Sequence, residues 1–262
     1  MCGRFVSTSS VQELTEFFGA THWPTTEALA PNWNTAPTDG IWAALQRVDR
    51  ETGELTRQLR AVRWGLVPSW AKDPGIGARM INARAETVHE KPAFRKAFAT
   101  RRCLIPADGY YEWRPVPAAE GRKAHKQPYY LSPASGSPMA MAGLYEFWRN
   151  GGVPEDDPAA WLTTATIITT DATDTAGLVH DRMPLTIAGS DFDAWLDPEH
   201  TDTDELRHLL HTPAGELTVR AVSTAVNNVR NDGSQLLDPA PDPLGVTGPA
   251  ARSGPAPTGP GA

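Results

Sequence analysis

Eight stretches of this chain carry strand patterning, four carry helical patterning, and the two kinds do not alternate regularly. The predicted strands cover 41–48, 55–67, 103–106, 110–114, 128–131, 139–148, 164–170 and 217–222. The first two are joined by a hairpin loop from Asp49 to Gly53. A helix runs from Ser10 to Gly19: Ser10 and Glu13 have capping-box spacing, and Val11, Leu14, Phe17 and Phe18 form its apolar face. Further helices are expected over 91–99, where Phe94 and Phe98 sit one turn apart, and over 192–196 and 204–211. Strands in excess and out of alternation predict an α+β fold, with a single domain on a largely antiparallel, barrel-like β-sheet and peripheral helices. That domain is expected to span 2–237. From Asp238 to Ala262 there are seven prolines and no apolar periodicity, which predicts a disordered tail.

The rest of the composition narrows the function classes. No apolar run approaches the roughly 20 residues of a membrane helix, and the N-terminus lacks the regions of a signal peptide. Two cysteines, Cys2 and Cys103, cannot make a disulfide framework, so a cytoplasmic location is expected. There is no CxxC or HExxH, and His208 and His211 read as surface residues at a helix end rather than ligands, so neither metal nor cofactor is expected. A monomer is the simplest expectation. The net charge of −7 is unevenly spread: from Arg57 to Lys126 there are fifteen Lys and Arg against six Asp and Glu. Such segregation permits a basic groove on an acidic body, and a local groove attracts phosphates whatever the global sign.

Cys2, between Met1 and Gly3, is the most distinctive chemical feature. A small second residue normally permits removal of the initiator methionine, leaving an α-amine and a thiol on adjacent carbons. This 1,2-aminothiol can close on one aldehyde carbon as a five-membered thiazolidine. It can also act as a thiol nucleophile with its own amine as base.

Four further segments stand out: Asn34-Thr-Ala-Pro37; Arg63-Trp-Gly-Leu-Val-Pro-Ser-Trp70 leading into Met80-Ile-Asn-Ala-Arg-Ala-Glu-Thr87; Pro106-Ala-Asp-Gly-Tyr-Tyr-Glu-Trp113; and His180-Asp-Arg-Met-Pro184 in an expected loop. With Met1-Cys-Gly-Arg-Phe5, these resemble the SOS response-associated peptidase (SRAP) family, whose members crosslink to abasic sites in single-stranded DNA. The resemblance runs in order from Cys2 to about Asn231. It implies four active-site residues: Cys2, Asn82, Glu112 and His180. It also implies a positively charged DNA channel lined by Arg4, Asn34, Trp64, Trp70, Arg79, Arg84 and Arg182, with abasic single-stranded DNA as partner. The family name carries a peptidase activity as well, which need be no more than exposure of Cys2; a lyase activity is a further expectation.

The chemistry also follows from the residue types. An α-amine has a reference pKa of about 7.7–8.0, so part of it is neutral and able to attack an aldehyde at neutral pH. Glu112 can shuttle protons at the amine, His180 can assist opening of the sugar ring, and Asn82 can hold the amine or a sugar hydroxyl. Each residue also fits a structural role: Glu112 as a solvated strand residue, His180 as the partner of Asp181, Asn82 as a turn or edge residue. Cys103, in an apolar run, reads as an inert core thiol. Two rival functions stay open: an N-terminal cysteine amidohydrolase related to class II glutamine amidotransferases, and a noncatalytic single-strand-binding module.

Overall fold

The computed structural model describes residues 2–24, 26–48, 53–118, 123–211 and 215–247. Twelve strands are present among them: β1 (Phe5–Ser7), β2 (Asn32–Thr35), β3 (Gly40–Val48), β4 (Leu55–Trp64), β5 (Asn82–Arg84), β6 (Arg102–Ala107), β7 (Gly109–Val116), β8 (His125–Pro133), β9 (Met139–Arg149), β10 (Trp161–Asp171), β11 (Arg182–Pro184) and β12 (Leu217–Ala221). The helices are short: α1 (Val11–Phe18), α2 (Arg95–Thr100), α3 (Asp174–Gly177), α4 (Phe192–Leu196) and α5 (Thr203–His208). Both halves of the α1 capping box form, and Gly19 closes the helix in the left-handed conformation at φ 63°.

The strands make two sheets. In the larger one β10, β4, β3, β6 and β9 pair in turn and β9 returns to β10, which closes a five-stranded barrel. Only the pairings of β10 with β4 and β5 are parallel. The smaller sheet runs β12-β8-β7-β1-β2 and is antiparallel throughout. The expected α+β class and barrel-like antiparallel sheet are therefore present.

Period-2 geometry explains why the barrel strands read as continuous apolar runs. Along β3, Ile41, Ala43 and Leu45 face a core shared with Phe5, Tyr110, Tyr129 and Leu131 of the smaller sheet. Trp42 and Ala44 face the other way, into a second core with Leu14 and Phe18 of α1, Phe98 of α2 and Trp195 of α4. Arg102, only 2% exposed, ties this helical layer together by donating to the carbonyls of Phe98, Ala99, Trp195, Asp197 and His200. Cys103 is buried in the first core, as expected of a structural thiol.

The sequence expectations differ from the structure in four places, the first being that the strand expected over 55–67 ends at Trp64. The predicted helix over 91–99 begins only at Arg95, after a turn. The short strands β1, β2, β5 and β11 are additional to those expected: Asn34 lies in β2, and Arg182, expected in a loop, lies in β11. Residues 239–247, expected in the disordered tail, are instead anchored to the domain. Pro239 bridges to Val222, Ala240 donates to the Ala221 carbonyl, and Val246 is 7% exposed in the core. Asp242 accepts from the Tyr129 hydroxyl at 2.6 Å and from the amides of Leu244 and Thr247 at 3.0 and 2.6 Å. Proline content concealed this segment because its anchors are single side chains rather than a periodic face. The predicted loop at 49–53 lies mostly outside the described residues, as does the tail beyond 247.

Candidate functional site

Two devices bring the motif segments together. β5 and β11 both pair with β10 around Thr169, β5 in parallel and β11 antiparallel, so the Asn82 and Arg182 segments lie beside the same strand end. β1 pairs with β7, which carries Glu112, through Phe5↔Tyr110, and the Tyr111 amide donates to the Arg4 carbonyl. The chain just after Cys2 is thus fixed to the strand bearing the carboxylate. The loop leading to β5 is held by a close backbone approach. Gly65 has φ 117°, and a Cβ there would lie 2.5 Å from the Gly77 carbonyl oxygen, so a side chain would force the two segments apart.

Cys2 is fully buried. The Asn82 side-chain amide donates to its backbone carbonyl at 2.7 Å, which joins the two residues directly. The other amide atom, Asn82 Oδ1, is buried without a hydrogen-bond partner among the described residues. A buried polar atom left so costs about 1–3 kcal/mol. Burial pushes the Cys2 thiol well above its ordinary range, and the negative charge of Glu112 adds to the effect. Glu112 is 3% exposed, so it is not the solvated strand residue that alternation permits. It alternates onto the same face of β7 as Tyr110, while Tyr111 and Trp113 lie on the opposite face, packed with Val6 and Tyr130, and donate to the Trp33 carbonyl and Asn227 Oδ1.

A cleft of about 490 Å³ opens at this position, lined by Arg4, Glu112, Trp113, Lys126, His180 and Asn227. It brings Glu112 and His180 to one wall. His180 follows α3, and its Nδ1 lies 3.0 Å from the Arg182 amide nitrogen and 2.7 Å from Asp181 Oδ1, so it accepts from the amide when bare and donates to the carboxylate when protonated. The loop contact with Asp181 expected of a structural histidine is therefore made, and it orients the ring rather than removing it from the cleft. Chemically, the arrangement offers a carboxylate and an imidazole on one cleft, and behind it a buried thiol whose backbone is held by the Asn82 amide, itself on the neighbouring cleft with Trp70 and Arg84. Among the described residues no group of three or more His, Cys, Asp or Glu could hold a metal.

Residues 1–229 match the family described as SOS response associated peptidase (SRAP). The chain belongs to that family. It is 38% identical over 239 residues to the abasic site processing protein YoqW of Bacillus subtilis, covering 91% of this chain and 99% of the relative. It is 30% identical over 274 residues to the abasic site processing protein HMCES of Xenopus tropicalis, covering 90% and 78%. A crystal structure of a Bacteroides thetaiotaomicron protein superimposes with a TM-score of 0.72 at 22% identity, over 91% of this chain and all of the other, which shows a shared fold.

The residues expected along the SRAP DNA channel divide sharply. Trp70, Arg79 and Arg84 are exposed, Trp70 by 61%. Trp70 stands between two clefts, one of about 530 Å³ shared with Asn82, Arg84, Thr87 and Lys91, the other of about 570 Å³ shared with His89, Arg95 and Lys96. Arg4 lies at the cleft mouth, with its guanidinium 5.8 Å from the Trp113 ring centroid. The other three do not face solvent as a DNA surface requires. Trp64 is fully buried, packed edge-on against Phe5 and donating to the Ile81 carbonyl, so it has no face for a base. Asn34 is 2% exposed and spends its amide on Arg4 and on the carbonyls of Val226, Asn228 and Asn231. Arg182 is held by Glu86, Asp171 and the Thr169 carbonyl.

The basic surplus of 57–126 divides in the same way. Arg57, Arg60 and Arg101 are paired with Asp193, Glu27 and Glu146. Lys91, Arg95, Lys96 and Lys126 are exposed and form no ion pair with another described residue. Sequence reasoning missed these four, together with Trp113 and Asn227. The charge count signalled the lysines and Arg95 and the GYYEW motif contained Trp113, but nothing signalled Asn227, which comes from a distant helical turn.

Proposed function

We propose that this protein captures abasic sites in single-stranded DNA through a thiazolidine formed by the α-amine and thiol of Cys2, shielding the site from strand cleavage. A role in abasic site processing is supported by the named function of its relatives. The observation that carries the finer reading is the direct bond from Asn82 to Cys2, with buried Glu112 close enough for its charge to disfavour the thiolate.

The reaction begins once Met1 has been removed, by a methionine aminopeptidase or by autoproteolysis. The neutral amine attacks C1′ of the open-chain sugar, and the carbinolamine loses water to give an iminium. Asn82 Oδ1 is the acceptor for an amine hydrogen, which aims the nitrogen lone pair. Glu112 carries one amine proton to the carbinolamine oxygen, a second proton drawn from solvent lets that hydroxyl leave as water, and the thiol proton released at ring closure returns to solvent through Glu112. The Cys2 sulfur then bonds to the same carbon, the C=N electron pair returns to nitrogen, and the thiol proton passes to the Glu112 carboxylate. His180 donates to the ring oxygen as the closed sugar opens. Each step balances without a metal or cofactor. An untrapped imine promotes β-elimination; ring closure removes that route.

The strand follows the exposed cations and Trp70, where stacking of one base is worth about 1–3 kcal/mol. Action on DNA fits a cytoplasmic location, at the nucleoid of a bacterial cell, and no described helix is long and apolar enough to cross a membrane. The test is a denaturing gel with an abasic oligonucleotide. Wild type and Cys103→Ala form a stable crosslink, whereas Cys2→Ser forms little and its residual imine is trapped by borohydride. A crosslink that survives Cys2→Ser but not Cys103→Ala overturns the proposal.

A further inference from the structure

Tyr110 carries the second buried polar atom at this site that lacks a partner. Its side chain is 1% exposed, and its hydroxyl has no hydrogen bond among the described residues. The other buried tyrosines nearby spend theirs, Tyr111 on the Trp33 carbonyl and Tyr129 on Asp242. Tyr110 lies two residues before Glu112 on the same face of β7, opposite Phe5 of β1, in the same packed core as Cys2. A phenol kept dry beside a thiol and a carboxylate, when a phenylalanine would fill the same space, requires a chemical reason.

We propose that the Tyr110 hydroxyl donates a hydrogen bond to the Cys2 sulfur as it takes on thiolate character during ring closure. The inference rests on the thiazolidine reading above. Burial, and then the charges of Cys2 and Glu112, keep the phenol protonated, so Tyr110 is a donor and loses no proton in the step. The thiol proton goes to Glu112, the C–S bond forms, and the C=N pair returns to nitrogen. Glu112 and Tyr110 alternate onto the same face of β7, Tyr110 in the core that also holds Cys2, and Arg4, Lys126 and His180 line the cleft that Glu112 borders. Of these, Tyr110 is the neutral donor embedded with Cys2 in the core. The division of labour then follows position: Asn82 serves the nitrogen of Cys2 and Tyr110 its sulfur.

The test is Tyr110→Phe, assayed in single turnover on an abasic oligonucleotide with and without borohydride, alongside thermal unfolding. A hydrogen bond to a developing charge is worth about tenfold or more in rate, which is about 1.4 kcal/mol. Ring closure to the stable crosslink therefore slows about tenfold in Tyr110→Phe. Imine formation, read by borohydride trapping, keeps its wild-type rate, so an imine accumulates that wild type does not show. The Tm stays level or rises, because an unpartnered buried hydroxyl is removed. Equal crosslinking rates in the two proteins overturn the inference, and so does an equal loss of imine and crosslink. A lowered Tm with no imine build-up makes the hydroxyl merely structural and overturns it as well. If wild type itself forms no Cys2-dependent crosslink, the thiazolidine reading fails first, and the control identifies that failure separately.

Discussion

Asn34 distinguishes a DNA contact from a structural clasp. The resemblance to SRAP proteins puts it on the DNA surface, but in the fold its side chain is saturated. Oδ1 accepts from Arg4 at 2.6 Å, and Nδ2 reaches the carbonyls of Asn231, Asn228 and Val226 at 2.8, 3.1 and 3.3 Å. Asn34→Ala removes them together. The charged bond to Arg4 is worth about 1.5–3 kcal/mol and the two shorter amide bonds about 1 kcal/mol each. Arg4 keeps its bond to the Val226 carbonyl and its place near Trp113, which offsets part of the loss. The expected destabilisation is about 3–4 kcal/mol, read as a lowered urea midpoint at unchanged m-value. DNA affinity, measured where the variant is still folded, falls as well, because Arg4 loses one of its two hydrogen-bond anchors and the helical turn carrying Asn227 loses the Asn34 amide. A stability loss below about 1 kcal/mol with a large drop in affinity would refute the clasp and return Asn34 to the DNA.

Three other outcomes follow from the same geometry. Glu112→Gln removes the charge that disfavours the thiolate, so Cys2 alkylates faster with a small reagent while crosslinking slows about 10²–10⁴-fold for want of a proton relay; faster alkylation together with faster crosslinking would contradict that role. Asp242→Ala, or truncation after Leu237, costs about 1–3 kcal/mol by freeing Tyr129 and the 242–247 segment. Burial opposes the Asp242 charge, but bonds from Thr247, Tyr129 and Leu244 outweigh it and hold the carboxyl below its ordinary 3.8. Its contribution is therefore complete above pH 3.8 and declines as pH falls below that, so paired wild-type and Asp242→Ala urea titrations converge only in acid. Arg84→Glu weakens single-strand binding and lowers the salt slope by about 0.7 for each phosphate no longer neutralised, whereas Arg182→Gln lowers stability and leaves that slope unchanged.

The barrel was legible because its strands bury both faces and are long enough to show it. The site was legible as motifs and not as geometry. β1, β5 and β11 have three residues each, too few for any period, so the segments beside Cys2, at Asn82 and after His180 read as loops. Only pairing to β7 and β10 makes them strands. Glu112 shows the limit of alternation: the pattern separated it from Tyr111 and Trp113 but could not say which face was core, since the smaller sheet buries aromatic residues on both. Trp64 and Trp70 belong to one motif, and composition cannot tell which is buried; the return of the chain at Gly65 decides it. The anchored residues from 238 to 247 were hidden because a carboxylate and a few backbone bonds, not an apolar stripe, hold them.

Capture through the Cys2 aminothiol is put to its plainest test by intact mass spectrometry after incubation with an abasic single-stranded oligonucleotide. One new species is expected. Its mass is that of the chain without Met1 plus the oligonucleotide minus one water, the balance of an aldehyde, an amine and a thiol closing into a ring. Unmodified DNA of the same sequence gives no such species, and neither does Cys2→Ser under denaturing conditions. An adduct on a chain that retains Met1, whose Cys2 amine is locked in a peptide bond, would rule out the thiazolidine.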